Sequence, residues 1–342
     1  MNSQVSIIIL NWNGWEDTLE CLDSLYRIEY PDYNVVLIDN GSEDESIEKI
    51  KEYCGGEIEV HSKFFKNVQQ TNPIEIWEIS EKDALKNNFQ KKEEFMKQLS
   101  NKKLILIKNN ENYGFAGGNN VGIDFVINNL NSEYVLFLNN DTVVDKDFLT
   151  EMVKTAKSTN VGMVGSKIYY YDYEGKDNVI WALGGGGMNL KTGFVWHNKF
   201  RKEDIGGLGD NLECGFITGC SLLIKKDILH KLKGFDKDYF CYFEDADLSA
   251  RCKKLGYKLL CACKSKVRHK VSASSGEYSP FLIYMITRNN LYFVKKNHGS
   301  KIYCLIYLLT FRLFGRLFRL GMRNELGLIK YYFKGIYDGL KI

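Results

Sequence analysis

Four continuous aliphatic runs, each ending abruptly in polar residues, constrain the fold of this chain more than any other feature. They are Val5 to Leu10, Val35 to Ile38, Leu104 to Ile107 and Val135 to Leu138. A strand with one wet face alternates apolar and polar residues, so a run without alternation reads as a strand covered on both faces in a parallel sheet. Parallel neighbours need a crossover, and Glu16 to Tyr26 supplies one, with Leu19, Leu22 and Leu25 at helical spacing and Pro31 beyond its end. After the second run, Ser42 and Glu45 make an S-x-x-E pattern ahead of Ile47, Ile50 and Tyr53, which predicts a capped helix at the strand's carboxyl end. Residues 55–103 interrupt the alternation and read as a peripheral insertion, with β-like pieces at Glu57 to Val60 and Ile74 to Ile79 and a Lys- and Glu-rich helix. Val121 to Leu130 reads as a helix behind a glycine-rich turn. Val161 to Cys220 looks β-rich, broken by Gly184 to Gly187, and helices return at Asp227 to Leu232 and Asp245 to Leu255.

This order predicts an α/β fold: a Rossmann-like, mostly parallel sheet flanked by helices, then a β-rich region and a helical tail. The expected divisions are 1–142, 143–295 and 296–342. With 44% hydrophobic residues, 26% charged residues and 3 prolines, a folded core is expected and disorder is not. Charge is unevenly placed: from Lys295 onward ten Lys or Arg face only Glu325 and Asp338, while the remainder is mildly acidic. A basic tail on an acidic body suits a membrane surface or another polyanion and disfavours nucleic acid as the body's ligand. The nine cysteines include no CxxC pair, and Cys261 and Cys263 lack a zinc spacing, so reduced thiols in a cytosol are expected. No secretion signal precedes the first apolar run, and Ile302 to Phe311 is too short to span a bilayer.

Ligands of open parallel sheets bind where the carboxyl ends of the strands converge, which directs attention to Asn11, Asn13, Asp39, Asn40, Asn139, Asn140 and Asp141. All are also good turn and cap formers. In NYGFAGGNN, Gly114, Gly117 and Gly118 around Phe115 and before Asn119 predict close approach of a diphosphate or ribose to a helix N-terminus, or a tight loop. The absence of GxGxxG after the first strand disfavours a dinucleotide-binding dehydrogenase. In LNNDT, Asp141 ends the most apolar strand, where one carboxylate can reach a divalent ion held by two phosphates. The densest signal is GFDKDYFCYFEDADLSAR, which sets Phe243, Glu244, Asp245 and Asp247 among aromatic residues; desolvation and like charge there raise a carboxyl pKa toward base strength. His269, alone in an alternating strand, carries no ligand signal of its own.

Taken in order, VSIIILNWNG, LIDNGSEDES, NYGFAGGNN, LNNDT, GCSLLIKKDIL, GFDKDYFCYFEDADLSAR and RHKVSASSG resemble family 2 glycosyltransferases, the inverting enzymes of GT-A fold, and especially their rhamnosyltransferase-like branch. The resemblance covers roughly the first 290 residues apart from the insertion. It implies a sugar nucleotide donor, UDP- or dTDP-linked, held by residues 1–142, with Asp39 at its base. It implies Asn139 and Asp141 at the DxD metal position, His269 completing a Mg²⁺ or Mn²⁺ site, and Asp245 as catalytic base. Asn139 replaces the first DxD carboxylate. The acceptor, a growing or lipid-linked glycan, is expected against Gly219, Phe243, Glu244 and Asp247.

In the tail, Arg312, Arg316, Arg319 and Arg323 fall on one helical stripe among Leu, Phe and Tyr residues. This predicts either a helix in an anionic membrane interface, placing a cytoplasmic protein on the membrane's inner face, or a helix docked on the protein with its arginines solvated. The rival functions are a catalytically silent sugar-nucleotide or glycan binding module on the same fold, and a nucleotidyltransferase, for which NWNGWED lacks the glycine-rich loop.

Overall fold

The computed structural model describes residues 3–65, 73–86, 88–271 and 279–342. Its first half lays down β1 (Val5–Asn11), α1 (Trp15–Leu25), β2 (Tyr33–Asp39), α2 (Ser46–Gly55), β3 (Glu75–Ser80), α3 (Glu81–Leu85), α4 (Lys92–Lys97), β4 (Lys103–Lys108), α5 (Gly114–Asn129), β5 (Tyr134–Asn139) and β6 (Thr142–Val144). There follow α6 (Phe148–Ala156), β7 (Val161–Tyr170), the short strands β8 (Val179–Leu183), β9 (Gly185–Asn189), β10 (Phe194–His197), β11 (Lys202–Glu203), β12 (Asn211–Glu213) and β13 (Phe216–Ile217), then β14 (Ser221–Lys225), α7 (Lys226–Leu232), α8 (Glu244–Lys254) and β15 (Lys258–His269). Helices α9 (Pro280–His298), α10 (Ile302–Tyr307), α11 (Leu313–Met322) and α12 (Ile329–Lys341) close the chain.

Strands β5, β1, β2, β4 and β3 lie side by side and parallel, and β14 and then β7 extend the sheet with antiparallel pairings. The unalternating runs behave as read. In β1, Val5, Ile7 and Ile9 enter the core on one side and Ile8 the other; in β2, Val35 and Leu37 oppose Val36 and Ile38. Helix α1 covers the first side with Leu19, Leu22 and Leu25, and α5 covers the second with Ile123, Phe125 and Val126. Each such side chain contributes about 1.5–3 kcal/mol on burial. A third core joins Ala246 and Ala250 of α8 to Ile283 and Phe293 of α9, Leu320 of α11 and Tyr332 of α12.

Several local expectations change in the fold. Ser42 does not cap α2: its hydroxyl accepts from the Asn13 amide at 3.0 Å and from Asn11 Nδ2 at 3.2 Å, and α2 begins at Ser46 without a side-chain cap. Glu57 to Val60 is not a strand, whereas Ile74 to Ile79 is, and as β3 it forms an edge of the parallel sheet. The glycines of NYGFAGGNN lie inside α5, which starts at Gly114 and not at Val121. The division expected at 295–296 falls within α9. The arginine stripe is split: Arg316 is buried and Arg312 half-buried, while Arg319 and Arg323 are exposed alongside Phe311, Phe314 and Phe318 of the same run.

Candidate active site

Parallel register sets the donor-side residues in a row at the carboxyl edge: Asn11 stands opposite Asp39, and Leu10 opposite Asn139. Asp39 is buried; its carboxylate accepts from Asn11 Nδ2 at 2.9 Å and from the Ser42 amide at 3.0 Å. A carboxylate offers about four acceptor positions, so a further donor can still be met. Asn13, at φ 49°, accepts from the Glu43 amide at 2.8 Å and so stitches the loop after β1 to the loop after β2. Between Asn11 and Asn13, Trp12 is 45% exposed, a broad aromatic surface one residue past the Asn11 that pairs with Asp39. Asn40, expected at the donor, is an internal joint instead: Nδ2 donates to Asn112 Oδ1 at 2.8 Å, Oδ1 accepts from Asn109 Nδ2 at 3.0 Å, and 1% of it is exposed.

The glycines serve packing and not an open anion cradle. Gly114 has φ 70°, and a Cβ there would lie 2.5 Å from the Phe240 carbonyl oxygen. A Cβ on Gly118 would lie 2.6 Å from Leu10 Cδ1, and one on Gly117 2.8 Å from Tyr113 Cβ. The N-terminus of α5 is spoken for by protein, since the Ala116 amide donates to the Phe240 carbonyl at 3.1 Å. Asn119 is likewise internal, donating to the Phe115 carbonyl at 2.8 Å. Phe115 does reach the cleft: a Cβ on Gly219 would meet its ring at 3.1 Å and Asp245 Cβ at 3.7 Å.

Asp245 follows a strained loop. Phe240 sits at φ 61° and ψ −64° in a γ-turn closed by the Cys241 amide on the Tyr239 carbonyl at 2.7 Å. Tyr242 and Phe243 also have positive φ, 67° and 77°, a cost of about 1–3 kcal/mol each for residues with a Cβ. Asp245, in the first turn of α8, accepts from the Gly219 amide at 2.9 Å and from the Ala246 amide at 2.7 Å. Burial raises its pKa, and those amides pull it partway back. Phe243, partly buried, packs its ring on Phe293 of α9. Glu244 is buried with Oε2 unpartnered; burial first, then the charge of Asp245, pushes its pKa well up. Asp247, expected on the acceptor side, is not in the cleft. It is fully buried, held by Arg251 Nε at 2.7 Å, Lys296 Nζ at 2.9 Å and Asn297 Nδ2 at 3.2 Å, because two positions along a helix turn it to the opposite face.

Asp141 and His269 meet because β6 pairs antiparallel with β15, setting His269 opposite Thr142. His269 Nε2 lies 3.1 Å from Asp141 Oδ1, close enough to pair the two groups electrostatically, and both side chains are largely buried. Burial raises the Asp141 pKa, but His269 wins and holds it below the usual range. Burial lowers the His269 pKa, but the Asp141 and Cys220 groups outweigh it and hold it well up. Among the described residues no cluster of three His, Cys, Asp or Glu surrounds them. The Asp141 carboxylate has unfilled acceptor capacity and fits Mg²⁺ or Mn²⁺, which take their remaining ligands from phosphate oxygens and water; His269 would join it only on giving up the proton that its neighbours favour. Asn139 stands partly exposed beside them, while Asn140 is drawn toward α1, donating to Thr18 Oγ1 at 3.0 Å. The Trp181 ring packs on His269 at 4.6 Å and on His197 at 4.5 Å, and burial lowers the His197 pKa to about 4. Neither Trp181 nor His197 belongs to a motif, and nothing local marked them. Residues 272–276 of RHKVSASSG lie outside the described residues.

Residues 6–70 and 83–233 match the family described as Glycosyl transferase family 2. Over 180 residues the chain is 21% identical to the low-salt glycan biosynthesis hexosyltransferase Agl10 of Haloferax volcanii, covering 52% of this chain and 56% of that protein. Over 96 residues it is 29% identical to the N-acetylglucosaminyl-diphospho-decaprenol L-rhamnosyltransferase of Mycobacterium tuberculosis, covering 27% of this chain and 31% of that one. The chain thus spans about half or less of these relatives. Among solved structures, the mannosyltransferase PcManGT from Pyrobaculum calidifontis, in complex with GDP-Man and Mn²⁺, superposes with a TM-score of 0.53 at 12% identity, covering 99% of this chain and 88% of its own, a likeness of GT-A fold. With the family match over most of its length, the chain belongs to glycosyl transferase family 2.

Proposed function

We propose that the protein transfers a sugar, with inversion, from a UDP- or dTDP-linked donor to a hydroxyl of a growing or lipid-linked glycan. The observation that carries the reading is the short peptide between the two halves of the site. The Gly219 amide donates to Asp245 while the next carbonyl, of Cys220, accepts from the Asn139 amide at 3.0 Å, so the carboxylate and the Asp141 turn flank one strand end. Asp39 offers a carboxylate to the base or ribose, and Trp12 a face on which a base can stack. Asp141 and His269 would hold the divalent ion, which supplies positive charge opposing that of the departing diphosphate. Asp245 takes the proton of the acceptor hydroxyl, whose oxygen bonds to the anomeric carbon as the bond to the diphosphate breaks and its electron pair leaves with the diphosphate. No covalent sugar intermediate is required. Gly219, Phe115 and Phe243 are proposed to line the acceptor side near Asp245.

Incubating the purified protein with UDP-, dTDP- and GDP-sugars plus Mn²⁺ tests the donor class. The true donor at a hundredfold above its dissociation constant should add about 2.7 kcal/mol of stability, seen as a raised melting temperature, and should be turned over to nucleoside diphosphate. Binding of one donor without turnover, at any acceptor concentration, would favour the silent binding module.

The acceptor's membrane is proposed to be met by the C-terminal helices. Phe311, Phe314, Phe318 and Met322 are 80%, 73%, 68% and 68% exposed, yet lie in a run from Lys301 to Arg323 without a single Asp or Glu. No helix among the described residues is long and apolar enough to cross a membrane. Apolar side chains flanked only by cations match an anionic bilayer surface, whereas a symmetric pairing of two copies would set arginines against arginines. The protein should float with vesicles containing anionic lipid and not with neutral ones, and Phe314→Ser with Phe318→Ser should abolish flotation. Unchanged flotation of that variant, or dimerisation in place of it, would remove the membrane from the proposal.

A further inference from the structure

We infer that Asn289 of α9 is a positioning residue for Asp245, acting through the strained loop that delivers it. This rests on the reading of Asp245 as the base. Asn289 is fully buried, and its Nδ2 donates to three main-chain carbonyls of that loop, those of Tyr239 at 2.8 Å, Cys241 at 2.8 Å and Tyr242 at 2.9 Å. An amide carries two hydrogens, so three carbonyls share them. They converge on one point because the backbone folds back on itself through Phe240, Tyr242 and Phe243, all at positive φ. Carbonyl oxygens gathered in this way repel one another unless a donor sits among them, and backbone in sparsely populated regions persists only where its surroundings over-determine it.

The other side of the amide is fixed as well. Asn289 Oδ1 accepts from Arg288 Nη1 at 2.6 Å, and the same Nη1 donates to the Asp238 carbonyl at 3.0 Å. Across the loop, the Phe240 carbonyl accepts from Ala116 of α5, so donor-side helix and C-terminal helix grip the same few residues. Two residues past Phe243 the chain places Asp245 against the Gly219 amide, and a displacement of about 1 Å in a reacting group costs on the order of a hundredfold in rate. Asn289 lies beyond the residues matched to the family and touches no group of the proposed reaction. Its effect is therefore expected on the placement of the base and not on the donor.

Asn289→Ala and Asn289→Asp, which keeps the size but removes the donor, are compared with Asp245→Asn and with the double variant Asp245→Asn/Asn289→Ala. Expected are a fall in kcat of about ten- to a hundredfold for each Asn289 variant, donor KM and nucleoside diphosphate affinity within about twofold of the parent, and no further loss when Asn289→Ala is added to Asp245→Asn. Unchanged kcat overturns the inference. So does a loss that multiplies with that of Asp245→Asn, or one accompanied by an equal loss of diphosphate affinity and melting temperature, or failure of both single variants to fold, since each assigns Asn289 a general structural role. Asn297→Ala, which loosens Asp247 from the same helix, should keep its kcat; an equal fall there also overturns it. Full activity of Asp245→Asn alone marks the failure of the base assignment, a result separate from any of these.

Discussion

Asp245→Asn is expected to lower kcat by about two orders of magnitude or more while nucleoside diphosphate affinity stays near that of the parent. The amide preserves size and can still face the Gly219 amide region, but it has no basicity with which to take a hydroxyl proton. The pH dependence carries the same information. Burial raises the Asp245 pKa above the ordinary carboxylate value, so the carboxyl keeps its proton into a higher pH range, and the protonated acid cannot act as a base. The rate should therefore be low on the acid side and rise as pH passes the raised pKa; in the variant that rise should vanish from the residual rate. A variant that turns over at close to the parental rate would end the assignment.

Asp141→Ala is expected to cost about a hundredfold to a thousandfold in kcat, the scale of removing one electrostatic stabiliser from developing charge. It should also uncouple diphosphate affinity from divalent metal. In the parent protein, chelation by EDTA should weaken nucleoside diphosphate binding and Mn²⁺ should restore it, because metal and phosphates complete each other's coordination. Of the two proposed protein donors the variant would keep only His269, so Mn²⁺ should restore little. Calorimetry with and without Mn²⁺ decides it: equal metal dependence in parent and variant would place the metal elsewhere. With Asn139 at the first motif position, Asp141 is the only carboxylate of LNNDT, which is why its loss is expected to exceed that of an ordinary ligand.

Much of the sheet was readable because burial on both faces leaves only one composition open to a strand. Nothing polar survives at Val5, Ile7, Ile8 or Ile9 when helices press from both sides, so β1, β2, β4 and β5 announce themselves. The same logic exposed their polar ends, since a ligand cleft begins where the apolar requirement stops. Glu57 to Val60 looks similar over four residues yet has no partner strand among the described residues, and pairing is a property of two segments at once. The start of α5 was misplaced for a related reason: Gly114 reads as a turn, and only the Phe240 carbonyl crossing 2.5 Å from where its Cβ would be explains a glycine there.

By itself, then, the sequence determined the strand runs, the helix faces and the catalogue of acidic and amide groups, because each follows from contacts within a few residues or from burial common to a whole face. Tertiary structure alone decided which members of that catalogue act together. Asp245 and Asp247 are the same residue type about 200° apart on one helix, and only the packing of α8 sends one to Gly219 and the other to Arg251 and Lys296. Asp141 acquires His269 through the pairing of β6 with β15, Arg316 turns inward while its neighbouring phenylalanines turn out, and Asn289 finds a loop some fifty residues earlier in the chain. Those relations depend on which surfaces meet, and no local pattern of residues encodes a meeting between distant segments.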